Sequence, residues 1–310
     1  MKGSQRSRRD DSVTGFLIVK GGNQVEIKSV GVIGCGVMGS GIAQTCAQAG
    51  YKVIVLEISD GLLNKGLSAI KATLAKSVSK NQMSPSDMEA IMSRISGTIN
   101  ARDFSVCDLV IEASTEDMEL KKRLFAEMDR ICHEQAILAT NTSCLPIIEM
   151  AMVTYRPDKV LGLHFFNPAP VMKLLEVVRT IVTSEETIAS GQRFGESLGK
   201  VAVIVQDAPG FVVNRLLLPF LLHAISLLEN GTAEREEIDS AVSLGLGHPM
   251  GPLKLADSIG IDVVLKIAEA IYDELKDPRY APPVLLRTMV AAGWLGRKTG
   301  KGFYEYPQSK

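Results

Sequence analysis

One segment constrains this chain more than any other: Val30-Gly-Val-Ile-Gly34-Cys-Gly36-Val-Met-Gly39-Ser-Gly-Ile-Ala-Gln44. A short apolar run enters three glycines at G-x-G-x-x-G spacing, and helix-forming sequence leaves them. A second apolar run, Lys52-Val-Ile-Val-Leu56, follows and ends on the carboxylate of Glu57. The order is strand, tight turn, helix, strand, the opening unit of a sheet whose strands alternate with helices.

Each glycine answers a separate steric demand. Gly34 lets the chain turn sharply out of its strand. Gly36 lets the backbone approach a pyrophosphate with no Cβ in the way, and Gly39 lets the helix pack close to the sheet. The free N–H groups of the helix's first turn face the phosphates, and the helix dipole favours negative charge there. Glu57 stands 57 − 34 = 23 positions after the first glycine. There it can accept hydrogen bonds from the adenosine ribose and repel a 2′-phosphate, so NAD is expected rather than NADP. Gly34, Gly36, Val37, Met38, Gly39 and Glu57 are the residues expected to hold it. Glycine triplets also serve ordinary turns; the flanking strands, the helix length and the terminal acid single this one out.

At 310 residues the chain is long for one core, so two domains are expected. Hydrophobic residues at 46% and charged residues at 22% fit a globular protein. No apolar run reaches the roughly 20 residues of a membrane span; the longest, Leu216 to Leu228, is broken by Pro219, His223 and Ser226. A net charge of −1 provides no global field for nucleic acid, so an anionic ligand must meet local basic residues. Cys35, Cys46, Cys107, Cys132 and Cys144 are odd in number and form no C-x-x-C pair. That suits reduced thiols in a cytoplasmic setting, most of them buried, and no metal site is expected. Cys144 as a nucleophile lacks a base placed by the sequence to activate it.

Residues 1–28 precede the first clear strand. Arg6, Arg8 and Arg9 among serines hint at an organelle-targeting peptide. Asp10, Asp11 and the lack of a helical apolar face favour an unstructured tail or an expression remnant.

From residue 29 to 207 strands and helices alternate. Strands are expected at Ser29–Ile33, Lys52–Glu57, around Ile99, and at Leu109–Glu112, Ala136–Ala139, Val160–His164, Leu174–Val178 and Lys200–Val205. Helices are expected between them, with Ser84 capping one that has Pro85 at its first position. The fold class is therefore α/β, a doubly wound, mostly parallel Rossmann-type sheet. Its character changes at Asp207-Ala-Pro-Gly210. Residues 208–310 read as a smaller all-helical domain, with helices over Phe211–Asn230, about Thr232–Leu244, one or two over Leu255–Leu275, and Pro283–Ala292. Long apolar helices in so small a bundle point to a homodimer.

Ligands of such a sheet lie beyond the carboxyl ends of its strands. Ser143 follows one such end, and His164 closes another. Glu176 sits inside Leu174-Leu-Glu-Val-Val178, where a buried carboxylate is costly unless something hydrogen-bonds it. His164 lies 176 − 164 = 12 positions earlier, across a proline-containing turn. If the two strands pair, acid and imidazole meet as a catalytic dyad. Taken singly these residues have plainer readings: a solvated strand-end histidine, an outward-facing strand glutamate, a helix N-cap at Ser143 and an exposed helical polar residue at Asn214.

Together they resemble the short-chain L-3-hydroxyacyl-CoA dehydrogenase family, in particular its bacterial 3-hydroxybutyryl-CoA dehydrogenases. The matching segments are Gly34–Ala43, Asn141-Thr-Ser-Cys-Leu145, Gly162–Val177, Asp207–Arg215, Gly247-His-Pro-Met-Gly-Pro252 and Arg297–Tyr304. They span the chain from about Ser29 to its end. The resemblance implies an NAD-dependent oxidoreductase acting at the 3-position of a short acyl-CoA. His164 would be its acid/base, Glu176 the group that holds the imidazole, and Ser143 and Asn214 donors to the reacting oxygen. It further implies cofactor contacts at Glu116, Lys121, Ser143, Asn167 and Lys298, and coenzyme A contacts at Thr73 and Lys80. The ribose acid is Glu57 where the family has Asp, and Thr73 stands where Ser is usual; a carboxylate and a hydroxyl survive those changes. Two other readings are a related enzyme for a sugar acid or small hydroxy acid, and a crystallin-like binder without turnover.

Overall fold

A computed structural model describes residues 26–307. The first unit runs β1 (Ser29–Ile33), α1 (Val37–Gln48), β2 (Lys52–Leu56), α2 (Asp60–Ser79), α3 (Pro85–Ser93) and β3 (Ile95–Thr98). It continues through β4 (Leu109–Glu112), α4 (Met118–Ile131), β5 (Ile137–Thr140), α5 (Ile147–Ala151), β6 (Val160–Phe165), β7 (Leu174–Arg179), α6 (Glu185–Ser197) and β8 (Val201–Gln206). The strands form one eight-stranded sheet in the order β3-β2-β1-β4-β5-β6-β7-β8. Every pair is parallel except β6–β7. That exception has a simple cause. Only 173 − 165 = 8 residues join β6 to β7, too few for a crossover helix, so the second strand can only turn back.

The chain leaves β1 toward β2 on one side and returns to β4 on the other. This reversal opens a crevice beyond the carboxyl ends of β1 and β4, where doubly wound sheets bind ligands. Helices cover both faces, which is why β1, β4 and β5 read as unbroken apolar runs. One core packs Val30, Val32, Ile42, Ile70, Leu163 and Phe194; that of the other face packs Phe104, Val110, Phe125, Leu138 and Ile147.

The strand expected around Ile99 lies at Ile95–Thr98, and Ile99 itself is exposed. The register explains the shift: Thr98 pairs with Leu56, the last residue of β2, so Ile99 has no strand left to join. Residues 1–25 of the expected tail lie outside the described residues. Residues 27 and 28, also assigned to it, belong to the folded unit: Ile27 packs on the core, and the Lys28 N–H donates to Asp108 at 2.9 Å.

After β8 the chain crosses into α7 (Val213–Glu229), α8 (Arg235–Gly245), α9 (Pro252–Ile259), α10 (Ile261–Leu275) and α11 (Val284–Ala291). They share a core of Leu218, Leu221, Ile225, Leu253, Ile261, Ile271 and Leu286. The Leu255–Leu275 stretch is two helices because Gly260 sits at φ +108, which no continuous helix allows. The C-terminal segment is pinned by buried Asp257, which accepts the N–H groups of Phe303 and Tyr304 and the Tyr306 hydroxyl, each at 2.9 Å. No helix among the described residues is long and apolar enough to cross a membrane.

Candidate active site

The glycine turn lies at the crevice. Gly34 has φ +92, and a Cβ there would stand 2.9 Å from the Ala113 carbonyl oxygen. A Cβ on Gly39 would run into the carbonyl of Gly34, so close backbone packing requires glycine at both. Gly36 is different. Its φ of −70 and ψ of −163 suit any residue, and no protein atom lies within 4 Å of the place a Cβ would take. The fold leaves that space open, and it faces both large cavities. A cradle that a methyl group would fill fits a pyrophosphate. Glu57 completes it: Oε1 accepts the Cys35 N–H at 2.6 Å, and Oε2 accepts the Ile58 N–H at 3.1 Å.

The first cavity, about 490 Å³, runs between α1, α2 and the β6–β7 turn, past Gly36, Ser40, Glu57, Thr73 and Asn167. The second, about 470 Å³, is bounded by Gly36, Val37, Met38, Ser114, Glu116, Lys121 and Ser143, and by Lys266 and Ile267 of α10. The glycine turn divides the two, and the helical unit closes the second.

The antiparallel β6–β7 ladder sets His164 directly opposite Glu176. Nδ1 of His164 lies 2.7 Å from Glu176 Oε2. The other oxygen, Oε1, accepts the N–H groups of Val212 and Val213 at 3.1 and 3.0 Å, where the chain enters α7. Both side chains are buried. Burial alone would raise the Glu176 carboxyl, but the His164 hydrogen bond and the two backbone donors outweigh it and hold it below the usual carboxylate range. With Nδ1 facing a carboxylate, the tautomer assigned by this geometry keeps its proton there and frees Nε2. Nε2 lies 3.2 Å from Ser143 Oγ. The ring is held between Phe166 and Phe211, at centroid distances of 4.6 and 5.4 Å. Phe211 takes φ +46, a left-handed conformation that is costly for an aromatic residue, and this conformation directs the chain toward α7.

Ser143 does not cap α5; Pro146 occupies that position. Its N–H donates to Glu116 Oε1 at 3.0 Å, and the Thr142 hydroxyl donates to the same oxygen. Asn214 is buried in the first turn of α7, not exposed, and follows Val213 directly. Lys121, although at the second cavity's edge, is 1% exposed, and its amine is held by Glu112 at 2.8 Å and Glu116 at 3.3 Å. Of the expected ligand contacts, Gly34, Gly39, Lys80 and Lys298 line neither cavity, nor do His164, Glu176 and Asn214. Lys80 follows the last turn of α2, 80 − 73 = 7 residues past Thr73 and about 10 Å farther along the axis. Lys298 is paired with Asp262 at 2.5 Å at the start of α10. Burial and the neighbouring Glu116 push the Cys144 thiol up to about 12, so it is not a thiolate and not a nucleophile at neutral pH.

The sequence reading gave no role to Asn141, Glu112 or Phe211. Asn141 Oδ1 accepts the Phe165 N–H at 2.9 Å and ties the loop that carries Ser143 to the strand that carries His164. Glu112, like Glu57 and Glu176, is an acid beside or within an apolar strand, and that shared pattern is the signal that could have found it.

Two family models match the chain in succession: the NAD binding domain of 3-hydroxyacyl-CoA dehydrogenase over residues 29–208 and its C-terminal domain over residues 210–306. A probable 3-hydroxybutyryl-CoA dehydrogenase of Bacillus subtilis is 47% identical over 284 residues, 92% of this chain and 99% of the relative. The mitochondrial hydroxyacyl-coenzyme A dehydrogenase of Homo sapiens is 41% identical over 290 residues, 91% of this chain and 92% of its own length. Among solved structures, the (S)-3-hydroxybutyryl-CoA dehydrogenase of Ralstonia eutropha superposes with a TM-score of 0.87 at 44% identity, covering 91% of this chain and all of that one.

Proposed function

The chain belongs to the 3-hydroxyacyl-CoA dehydrogenase family, and from that premise we propose that it interconverts short-chain (S)-3-hydroxyacyl-CoA and 3-ketoacyl-CoA with NAD as hydride carrier. Held by the glycine turn and Glu57, NAD would supply reversible hydride transfer at C3. Every remaining step falls to side chains. In oxidation, His164 Nε2 accepts the proton of the 3-hydroxyl. Glu176 fixes the ring and stabilises the imidazolium that results, its own geometry set by the Val212 and Val213 N–H groups. In reduction, the protonated ring returns that proton to the oxygen. Ser143 and Asn214 orient the reacting oxygen as hydrogen-bond donors, which restricts it to a productive geometry.

The first cavity suits the adenosine half of NAD at Glu57 and the acyl-CoA arm farther along, with Thr73 on its wall and Lys80 beyond its end for the phosphates. The second suits the nicotinamide half of NAD, beside Glu116 and Ser143. Exposed Leu216, Leu244, Leu246 and Val284 on the helical unit fit a homodimer. Five free cysteines, four of them buried, fit a reducing cytoplasm.

One observation carries the reading: a carboxylate-braced histidine whose free nitrogen lies 3.2 Å from the hydroxyl of Ser143, a residue that lines the same cavity as the glycine turn. The test is NADH consumption with acetoacetyl-CoA, free acetoacetate and a series of longer 3-ketoacyl-CoA esters. Rapid consumption is expected with short thioesters, and little with the free acid or with NADPH. Turnover confined to free acids would move the enzyme to another substrate class. NADH binding without any turnover would make it a non-catalytic relative.

A further inference from the structure

Glu112 closes β4 at the reversal point of the sheet and is 1% exposed. Its carboxylate collects donors from three separate segments. Oε1 accepts the Ser114 N–H at 2.7 Å and the Ser114 hydroxyl at 2.6 Å, and Oε2 accepts the Thr140 hydroxyl at 2.8 Å. The Lys121 amine donates to both oxygens, at 2.9 and 2.8 Å. The same amine lies 3.3 Å from Glu116 Oε2, while Glu116 Oε1 receives the Ser143 N–H at 3.0 Å. Ser143 Oγ then stands 3.2 Å from His164 Nε2. A continuous line of contacts therefore runs from the floor of the sheet to the reactive nitrogen.

Apolar residues could fill this space with no desolvation penalty; a buried ion pair is a poor device for stability alone. What the charges add is direction. Lys121 is shared between two carboxylates, and Glu112 takes the larger share with two short hydrogen bonds. Without that share, the amine would turn wholly to Glu116 and draw its carboxylate off the Ser143 N–H. We infer that Glu112 is a positioning residue: it fixes Lys121, Lys121 limits the travel of Glu116, and Glu116 sets Ser143 against His164. The inference rests on the dehydrogenase reading above.

The test is a double-mutant cycle on NADH-dependent reduction of acetoacetyl-CoA, with Glu112→Gln and Ser143→Ala, singly and together. Glutamine preserves shape and one acceptor but removes the charge that competes for Lys121. Glu112→Gln should lower kcat about 10- to 100-fold while KM for acetoacetyl-CoA stays within about threefold, with kcat taken per folded enzyme. Ser143→Ala should then cost less than about a third of the factor it costs in the wild type, because Ser143 is already displaced. If Glu112→Gln does not fold, Thr140→Val, which removes one donor from Oε2, enters the same cycle with an expected two- to fivefold effect, roughly, and the same shortfall from additivity. An additive cycle, or wild-type kcat in the Glu112 variant, would overturn the inference alone. A wild type without turnover would overturn the assigned reaction and the inference with it.

Discussion

His164→Gln folds, binds NADH with affinity close to that of the wild type, and reduces acetoacetyl-CoA about 10²–10⁴ times more slowly. The expectation follows from what the substitution leaves intact. Glutamine is close to histidine in size and can still hydrogen-bond Glu176 Oε2, so the buried carboxylate keeps a partner. The glycine turn and Glu57 belong to β1, α1 and β2, away from the β6–β7 ladder, so NADH binding has no reason to change. Only the titratable nitrogen facing Ser143 is lost, and with it the means to move a proton at neutral pH. Steady-state kcat together with an NADH fluorescence titration measures both halves. Near-wild-type turnover would remove His164 as the acid/base, and equal loss of turnover and NADH affinity would place it in the wrong site.

Glu176→Gln damages both stability and turnover. The carboxylate accepts on both oxygens: His164 Nδ1–H on one, the Val212 and Val213 N–H groups on the other. A carboxamide has one acceptor. Whichever way it turns, its NH₂ faces a buried donor, and that mismatch costs about 1–3 kcal/mol. The imidazolium formed during turnover also loses its counter-charge, so a fall in kcat of about 10- to 10³-fold is expected, with KM little changed.

The pH dependence of this stability has a definite sign. The Glu176 carboxyl is held below its ordinary range, so the folded protein favours the charged form more than the unfolded chain does. Its contribution is fully present above the ordinary carboxylate value and is lost as pH falls through the lowered folded value. The stability gap between wild type and Glu176→Gln should therefore be widest near neutral pH and narrow on acidification below about pH 4. Urea unfolding of both proteins at two pH values measures it. A gap that widens in acid would contradict the charged, hydrogen-bonded carboxylate.

What the sequence revealed depended on how local each feature was. The glycine turn lies in one short segment, and every glycine reports a backbone constraint, so its place in the fold was legible from spacing. His164 and Glu176 were legible as a pair because a short turn between two apolar runs forces antiparallel pairing, which makes their spacing a register. Glu112 was not legible, since its partners Ser114, Lys121 and Thr140 come from a loop, a helix and a neighbouring strand that only the folded sheet brings together. The resemblance implies a cofactor contact at Lys121, but no linear pattern shows that its amine is held by two acids. The Val212 and Val213 donors depend on the left-handed turn at Phe211, which no residue preference announces. Read singly, Asn214 is an exposed helical polar residue, whereas the fold buries it in the first turn of α7, just after that same turn. Gly260 was the reverse case: a single glycine within a helical pattern is often tolerated, and here its positive φ ends one helix and starts the next.

The proposed chemistry depends on a single arrangement, in which a ring held by Glu176 presents its free nitrogen to the reacting oxygen. A crystal structure with NAD and acetoacetyl-CoA bound together measures it directly. The expected result places the 3-keto oxygen about 2.6–3.2 Å from His164 Nε2, with Nδ1 still on Glu176 and Ser143 or Asn214 on the same oxygen. A thioester whose keto oxygen points away from that nitrogen, or an imidazole turned off the carboxylate when both ligands are present, would contradict it.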